Sequence, residues 1–386
     1  MTHSELIEKV AAFYQRTYNS VPVLTFAPGR INLIGEHTDY NDGFVFPAAI
    51  DMGIVAGIQK NNKSSCSVFA LDAKQSYVFD KNNLKPINKG SWKNYVLGVV
   101  FEVQKKHQLK TNFDIVFAGN IPSGSGLSSS AALENSIVFG LNVLFDLKMT
   151  KEEMIFISQK AEHNFVGVKC GIMDQYASMF GQKNAAIVLD TRNLKAEILS
   201  VDFDEYEILL INSKVKHSLA ESAYNERRNV CEKIASLLHV KALRDVSKED
   251  LKDVAHQFSK EDYFKALYVI EENSRVLKAA EALKEKNLKL FGQLLFDSHL
   301  GLKEQYNVSC TELDFLVDLS KKNNHVLGAR MMGGGFGGCT INLVLKEQVT
   351  AFKKEIANTY GKQFFKECAF YKVKLSGGTQ RVFAKA

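Results

Sequence analysis

A glycine- and serine-rich segment places the strongest constraint on what this chain can fold into. Residues 121–132 read IPSGSGLSSSAA. Residues 112–117, before it, alternate polar and apolar side chains as a half-buried strand does. Residues 131–147 are largely apolar, contain one glycine and no proline, and predict a helix of about four turns. A strand, a loop and a helix in this order leave free backbone N–H groups at the helix start, where the helix dipole also favours an anion.

The loop carries residue types that suit a phosphate group. Gly124 and Gly126 allow positive φ angles and a close approach of a ligand to the backbone, and the serines that follow add hydroxyl groups. A phosphate-binding loop and an ordinary serine-capped turn both fit this pattern. No lysine follows the second glycine as in a P-loop, and the His-Arg-Asp and Asp-Phe-Gly triplets of protein kinases do not occur. A nucleotide bound here would therefore be held by another architecture.

A second unusual segment, residues 30–43, reads RINLIGEHTDYNDG. An apolar run is followed by consecutive hydrogen-bonding side chains from Glu36 to Asn41. A solvated loop has this composition. A binding site for a polyol needs the same mixture of side chains. Each carboxylate there bridges neighbouring hydroxyls of the ligand, and neutral donors lie between the carboxylates.

Asp174 is a further candidate, since it lies among Ile172, Met173, Tyr176 and Met179. A carboxylate in such surroundings either caps a helix or is held there for chemistry, and the residues alone leave both interpretations open. Residues 328–338 read GARMMGGGFGG and predict a tight loop before a strand at 339–345.

The rest of the pattern predicts the coarse organisation. We expect a strand at 24–26 that ends in a turn at 28–30, separate strands at 44–50 and 53–59, and a helix over 218–240. The chain has 386 residues, of which 46% are hydrophobic, and this favours two tightly packed domains, 1–200 and 201–386.

Charge and cysteine content limit the partners and the compartment. The net charge of +6 is spread along the chain, which disfavours a nucleic-acid or membrane partner and is compatible with anionic ATP. The 6 cysteines are far apart, and no leader or long apolar run occurs. These features predict reduced thiols and a cytoplasmic location. As a separate expectation, the protein is a monomer or weak oligomer.

Three motifs in this order resemble those of the GHMP small-molecule kinases. Residues 28–41 resemble the galactokinase signature of that family, 122–132 its ATP loop and 333–338 its third glycine motif. Residues 162–175, and residues 217–219 together with Tyr224, Arg227 and Arg228, also agree. The resemblance implies an α/β fold of the α+β type, with mixed sheets, helices and an active site in the cleft between two domains.

The resemblance also implies roles for individual residues. The sugar would be held by Glu36, His37, Thr38, Asp39, Asp174 and Tyr224. The ATP phosphates would be wrapped by Gly124, Ser125, Gly126, Leu127, Ser128, Ser129 and Ser130. Ser130 and Glu162 would hold Mg²⁺, which accepts hydroxyl and carboxylate oxygens. Asp174 would be the catalytic base and Arg30 would stabilise the transition state, and we expect an ionised Asp174 paired with Arg30.

The resemblance implies that the chain phosphorylates galactose at its anomeric hydroxyl with ATP. Two alternatives are weighed against it. One is a kinase for a related sugar, such as N-acetylgalactosamine or arabinose. The other is a sensor that binds galactose and ATP without turnover, which the intact ATP loop disfavours.

Overall fold

The computed structural model describes residues 1–88, 90–215 and 220–385. The helices are His3–Tyr18 (α1), Lys93–Gln104 (α2), Ser129–Phe145 (α3), Lys151–Ala161 (α4), Met173–Phe180 (α5), Ala220–Leu237 (α6), Lys248–Asp253 (α7), Lys260–Lys284 (α8), Leu288–Glu304 (α9), Thr311–Lys322 (α10) and Val349–Phe364 (α11). The strands are Val23–Asn32 (β1), Phe44–Val45 (β2), Pro47–Asn61 (β3), Cys66–Ala70 (β4), Gln75–Phe79 (β5), Asn112–Gly119 (β6), Ala185–Asp190 (β7), Lys195–Ser200 (β8), Tyr206–Asn212 (β9), Val326–Met331 (β10), Cys339–Leu345 (β11), Ala369–Lys372 (β12) and Gln380–Val382 (β13).

The strands of the described residues form three sheets. The largest has the order β13-β1-β3-β6-β4-β5, in which only β4 and β6 pair in parallel. A second sheet has the order β10-β11-β9-β12, and a third has the order β2-β7-β8. The expected α/β architecture with mixed sheets is therefore confirmed.

Helices cover both faces of the large sheet, because side chains that alternate along its strands pack against helices on either side. Val55 on β3 packs with the apolar face of α1, whereas Ile54 and Ala56, its neighbours in sequence, pack with α2, α3 and α4. Successive side chains of a strand point to opposite faces, so both faces of β3 are buried. The loop before α3 is thus attached to the middle of a rigid two-faced sheet.

A common apolar core joins the two halves of the chain. It includes Ile31 and Phe46 from the first half, and Val276, Phe291 and Ile341 from the second. In addition, β13 pairs with β1 at the edge of the first sheet. The division near residue 200 stays a prediction, since the segments on either side of it are packed into one interior.

Two of the expected strands have different bounds. The predicted turn at 28–30 is wrong, because β1 continues to Asn32 with a change of register between Pro28 and Arg30. A bulge lets the strand pass proline, which cannot donate a ladder hydrogen bond. Residues 44–50 and 53–59 were predicted as separate strands, but residues 47–61 form the single strand β3.

The helices agree more closely with the sequence pattern. Helix α3 follows the glycine-rich loop as expected, and α4 is followed by a single π-helical turn, Glu162–Val166. The predicted helix at 218–240 is described from Ala220 to Leu237. Its first residues, with the family-like segment 217–219, lie outside the described part of the chain. No helix of the described residues has both the length and the apolarity to cross a membrane.

Candidate active site

A cavity of about 250 Å³ collects most of the side chains that the motifs singled out. Its walls come from both halves of the chain. They are Arg30, Glu36, His37, Asp39, Tyr95, Ser130, Glu162, Val168, Cys170, Met173, Asp174, Tyr224, Gly333 and Gly334. A larger cavity, of about 390 Å³ beside α8 and α9, contains none of the residues predicted to bind sugar, ATP or metal.

Arg30 and Asp174 form a bidentate ion pair at the wall of this cavity. Arg30 Nε lies 2.8 Å from Asp174 Oδ1, and Arg30 Nη2 lies 2.9 Å from Oδ2. The third nitrogen, Nη1, donates to the Gly126 carbonyl at 2.6 Å. Arg30 is 4% exposed, so the fork is fixed between the carboxylate and the glycine-rich loop. The pairing expected between Arg30 and Asp174 is therefore present.

Asp174 does not cap a helix in this structure. Helix α5 begins at Met173, and its N-cap residue, Ile172, makes no side-chain cap bond. The Asp174 carboxylate instead accepts hydrogen bonds from Arg30 and from Ser128. The helix-cap interpretation is therefore wrong, and a role of this carboxylate in chemistry stays a prediction.

Glu36 is held at the cavity by groups far away in sequence. Its Oε1 accepts from Arg330 Nη2 at 3.0 Å and from the Gly333 N–H at 2.8 Å. Both ionic side chains are almost completely buried. The guanidinium of Arg330 also donates to the carbonyls of Asn32, Leu33 and Met331. A buried charge needs such pairing, and the result is a carboxylate fixed in position.

Asp39 is the acidic group with the most altered titration behaviour in this loop. Burial, together with the nearby carboxylates of Asp174 and Glu36, raises its pKa to about 7. A Cβ at Gly171 would overlap the Asp39 carboxylate, so a side chain at that position would displace this group. The carboxyl group therefore sits in a close-fitting niche at the cavity wall.

Neutral polar rings complete this side of the cavity. His37 Nδ1 lies 2.7 Å from the Tyr40 hydroxyl, and the His37 ring is 5.4 Å from the ring of Tyr224. Burial lowers the pKa of His37 to about 3, so the ring is uncharged at neutral pH. Thr38 does not lie on the cavity wall: its hydroxyl donates to the carbonyls of Gly35 and Phe44 and fixes the loop.

The glycine-rich loop has the geometry of an anion site. Gly124 and Gly126 have φ angles of 69° and 73°, which favour glycine. The side chain of the N-cap residue of α3, Ser128, makes no cap hydrogen bond, so the first N–H groups of the helix keep donors for a ligand. Ser129 is exposed, whereas the Ser125 hydroxyl donates to Pro122 and the Leu127 side chain is buried in the core.

The two glycine-rich segments touch through their backbones. A Cβ at Gly333 would lie 3.2 Å from the Gly126 carbonyl oxygen, so the approach is close enough to favour glycine. The Gly333 N–H also bonds Glu36. The third motif thereby connects the loop before α3 with the acidic segment.

Ser130 and Glu162 contribute neighbouring oxygen atoms to the same cavity. The Glu162 carboxylate accepts from Cys170 Sγ at 2.8 Å, and the Ser130 hydroxyl lies near it. Burial raises the pKa of Glu162, against the effects of Cys170 and Ser130, which lower it. Among the described residues no group of three or more acidic, histidine or cysteine side chains has the arrangement of a metal site. One hydroxyl and one carboxylate suit a Mg²⁺ ion that keeps water and phosphate ligands.

Sequence reasoning missed the residues that hold the acidic segment from behind. Residues 241–286 contain none of the motifs described above, yet α8 supplies three such contacts. The Tyr268 hydroxyl donates to the Glu36 carbonyl at 3.0 Å, Glu272 Oε1 accepts from the Gly35 N–H at 3.0 Å, and Asn273 Oδ1 accepts from the Phe44 N–H at 2.8 Å. The sequence does contain a signal for these residues, because they are polar positions on an otherwise apolar face of a helix. Buried polar groups need hydrogen-bond partners, so such positions indicate a contact with another segment.

Family models match three parts of the chain. The model described as the galactokinase galactose-binding signature matches residues 12–60. The GHMP kinases N terminal domain matches residues 94–182, and the GHMP kinases C terminal model matches residues 279–362. The matched regions contain the acidic segment, the loop before α3 and the third glycine motif.

Curated relatives cover nearly the whole chain. A galactokinase of Thermotoga neapolitana is 42% identical over 356 residues, which cover 92% of this chain and 99% of that protein. A galactokinase of Glaesserella parasuis is 43% identical over 365 residues, which cover 92% of this chain and 94% of that protein. The chain belongs to the galactokinase family.

A solved structure supports the same family. The crystal structure of Lactococcus lactis galactokinase complexed with galactose has a TM-score of 0.93 and 33% identity, and the match covers 97% of this chain and 99% of that chain. The galactokinase resemblance and the GHMP kinase fold expected from the motifs are thus confirmed, and the chain is a kinase. The roles of individual residues follow below as proposals.

Proposed function

We propose that this chain transfers the γ-phosphate of ATP to the anomeric hydroxyl of D-galactose, giving galactose 1-phosphate and ADP. The observation that carries the proposal is the bidentate pair of Arg30 and Asp174. It lies on a cavity wall that also includes the acidic segment, and Arg30 contacts the loop before α3 through Gly126. A sugar hydroxyl and a phosphate bound on these two elements would meet at this pair.

Within this proposal Asp174 is the base and Arg30 is the cation at the transferring phosphoryl group. The Asp174 carboxylate accepts the proton of the anomeric hydroxyl as the oxygen attacks phosphorus. The fixed positive charge of Arg30 stabilises the charge on the transferring oxygens, because a preorganised group needs no reorganisation during the reaction. An anomeric hydroxyl is more acidic than an ordinary alcohol, so a carboxylate is an adequate acceptor.

We assign the sugar to Glu36, His37, Asp39, Asp174 and Tyr224, which all line the cavity. Thr38 belongs to the loop scaffold, since its hydroxyl is already engaged by two carbonyls. The phosphates are assigned to residues 124–130, chiefly to the backbone N–H groups at the start of α3. Ser130 and Glu162 would hold Mg²⁺, which supplies positive charge to the ATP phosphates when bound.

Galactose binding is expected to strengthen as pH rises from 6 to 8. The free Asp39 carboxyl has a pKa of about 7 and is mostly protonated at pH 6. Sugar hydroxyls that donate to it favour the ionised form, so binding releases a proton. If Asp39 releases one proton and its pKa in the galactose complex lies well below 6, the dissociation constant of galactose should fall about ten-fold between pH 6 and pH 8. Calorimetry in buffers of different ionisation enthalpy measures both the constant and the proton.

The matched variant for this prediction is Asp39→Asn. Its amide does not titrate, so its galactose affinity should be weaker at pH 8 and nearly independent of pH. An equally steep pH dependence in Asp39→Asn would assign the released proton to another group.

Replacing Glu162 by Gln should raise the Mg²⁺ concentration needed for half-maximal activity and lower turnover. The substitution keeps the shape but removes the only carboxylate that we assign to the ion, and the neutral hydroxyl of Ser130 does not replace its charge. Galactose affinity should stay within about two-fold, because sugar binding does not use this carboxylate. Activity titrations with Mg²⁺ test the predicted change in metal requirement, and calorimetry with galactose tests the unchanged sugar affinity. Glu367→Gln, at a carboxylate that is 92% exposed, is the control and should match the parent protein.

The reaction itself is tested with a panel of sugars in a coupled assay for ADP release. Galactose should give the highest kcat/KM, ahead of N-acetylgalactosamine and arabinose. Galactose-dependent ADP release distinguishes a kinase from a sensor, which would bind both ligands without turnover.

The six free cysteines are consistent with our proposal of a cytoplasmic location, and a monomer or weak oligomer remains the expected state.

A further inference from the structure

Ser128 has an unusual backbone conformation for its place in the fold. It is the N-cap residue of α3, with φ 57° and ψ 51°, and its side chain makes no cap hydrogen bond. A serine N-cap ordinarily has an extended backbone and its hydroxyl accepts an N–H of the first turn. A left-handed conformation is costly for a residue other than glycine, and such residues cluster at functional sites.

The Ser128 hydroxyl is directed at the Asp174 carboxylate instead. Its Oγ donates to Asp174 Oδ2 at 2.5 Å, and Arg30 Nη2 donates to the same oxygen at 2.9 Å. Within the described residues, Asp174 Oδ1 accepts only from Arg30 Nε, at 2.8 Å. A carboxylate oxygen offers about two acceptor positions. Oδ2 is therefore filled, whereas Oδ1 keeps one position for a further donor.

Ser128 reaches the carboxylate from the loop side. Asp174 lines the cavity, but Ser128 is not among the described residues that line it, and it is only 9% exposed. Its hydroxyl is thus placed to orient Asp174 without contacting a sugar bound in the cavity. Arg30 and Ser128 together fix the carboxylate on one side.

We propose that Ser128 is a positioning residue that holds the Asp174 carboxylate so that Oδ1 accepts the substrate proton. This inference rests on the proposed function and refines it. The anomeric O–H bond breaks and its proton moves to Oδ1, while the oxygen forms a bond to the γ-phosphorus of ATP. The bond from that phosphorus to the bridging oxygen breaks, and its electron pair leaves with ADP.

The test compares Ser128→Ala and Ser128→Gly with the parent protein. Both variants lack the hydroxyl, and glycine in addition adopts the left-handed backbone without strain. Misplacement of a reacting group can cost up to about a hundred-fold in rate, so kcat for galactose should fall about ten-fold to a hundred-fold in both. KM for galactose and for ATP should change less than about three-fold, because this hydroxyl bonds Asp174 and the phosphates are assigned chiefly to backbone N–H groups.

A double substitution tests whether Ser128 acts through Asp174. Adding Ser128→Ala to Asp174→Asn should lower the residual rate by less than about two-fold, since the oriented base is already absent. A crystal structure with bound galactose should place the anomeric oxygen closer to Oδ1 than to Oδ2.

Specific results would overturn the inference. They are an unchanged kcat in Ser128→Gly, an increase in KM for ATP as the sole effect, a full additional loss in the double variant, or an anomeric oxygen closer to Oδ2. If the parent protein does not phosphorylate galactose, the proposed function itself fails. Active parent protein with fully active Ser128→Gly overturns only the role of Ser128.

Discussion

Asp174→Asn should phosphorylate galactose at least about 10²–10⁴-fold more slowly than the parent protein, which is the usual contribution of a general base. Asparagine keeps the shape of the side chain but has no carboxylate to accept the proton. The side chain is 27% exposed and does not cap α5, so the variant should still fold. Some stability should be lost, because the buried Arg30 loses its charged partner. Single-turnover rates measure the chemical step, and calorimetry should show that ATP binding survives.

The control for this substitution is Asp146→Asn, at a carboxylate that is 76% exposed. It should have parental kinetics and stability. A folded Asp174→Asn protein with near-normal turnover would exclude Asp174 as the base. Such a result would leave Asp174 with only a structural role, through its hydrogen bonds with Arg30 and Ser128.

Arg330→Leu should destabilise the folded protein by about 3–5 kcal/mol, the usual cost of removing one partner of a buried ion pair. Arg330 is fully buried and supports both Glu36 and the carbonyls of Asn32 and Leu33. The substitution leaves the Glu36 carboxylate with the Gly333 N–H as its remaining partner among these contacts. Denaturant unfolding measures the loss.

Arg16→Leu, at an exposed arginine of α1, is the comparison and should change stability by less than about 0.5 kcal/mol. Galactose affinity should also fall in Arg330→Leu, because Glu36 loses its fixed position. A stable Arg330→Leu protein with parental affinity would show that the ion pair contributes nothing to the site.

The candidate site could be predicted largely because its chemistry lies in short contiguous segments. Residues 36–39 bring two carboxylates and an imidazole together, and residues 124–130 form a loop between a strand and a helix. Dense groups of polar residues after apolar runs are informative about a ligand. The direction in which each side chain points is harder to predict. Thr38 lies in the same segment, but its hydroxyl donates to the carbonyls of Gly35 and Phe44 and not into the cavity.

Single residues from distant elements could not be found in this way. Tyr268, Glu272 and Arg330 reach the acidic segment from α8 and β10. Each is one polar residue on a buried face, and no spacing rule links it to a partner more than two hundred positions away. The strand error at Pro28 has a local cause, because proline and glycine indicate a turn and a bulge equally well.

The contacts of Glu36 and Gly35 with Arg330 and Glu272 have a consequence for the order of folding. Their partners are separated by 294 and 237 positions in sequence. Closing such long loops costs entropy before any contact is gained, so these bonds form late. The strand-loop-helix unit of β6 and α3 is local and can form early. During folding, the loop before α3 can therefore form first, and the acidic segment gains its fixed position only when the second half of the chain has packed.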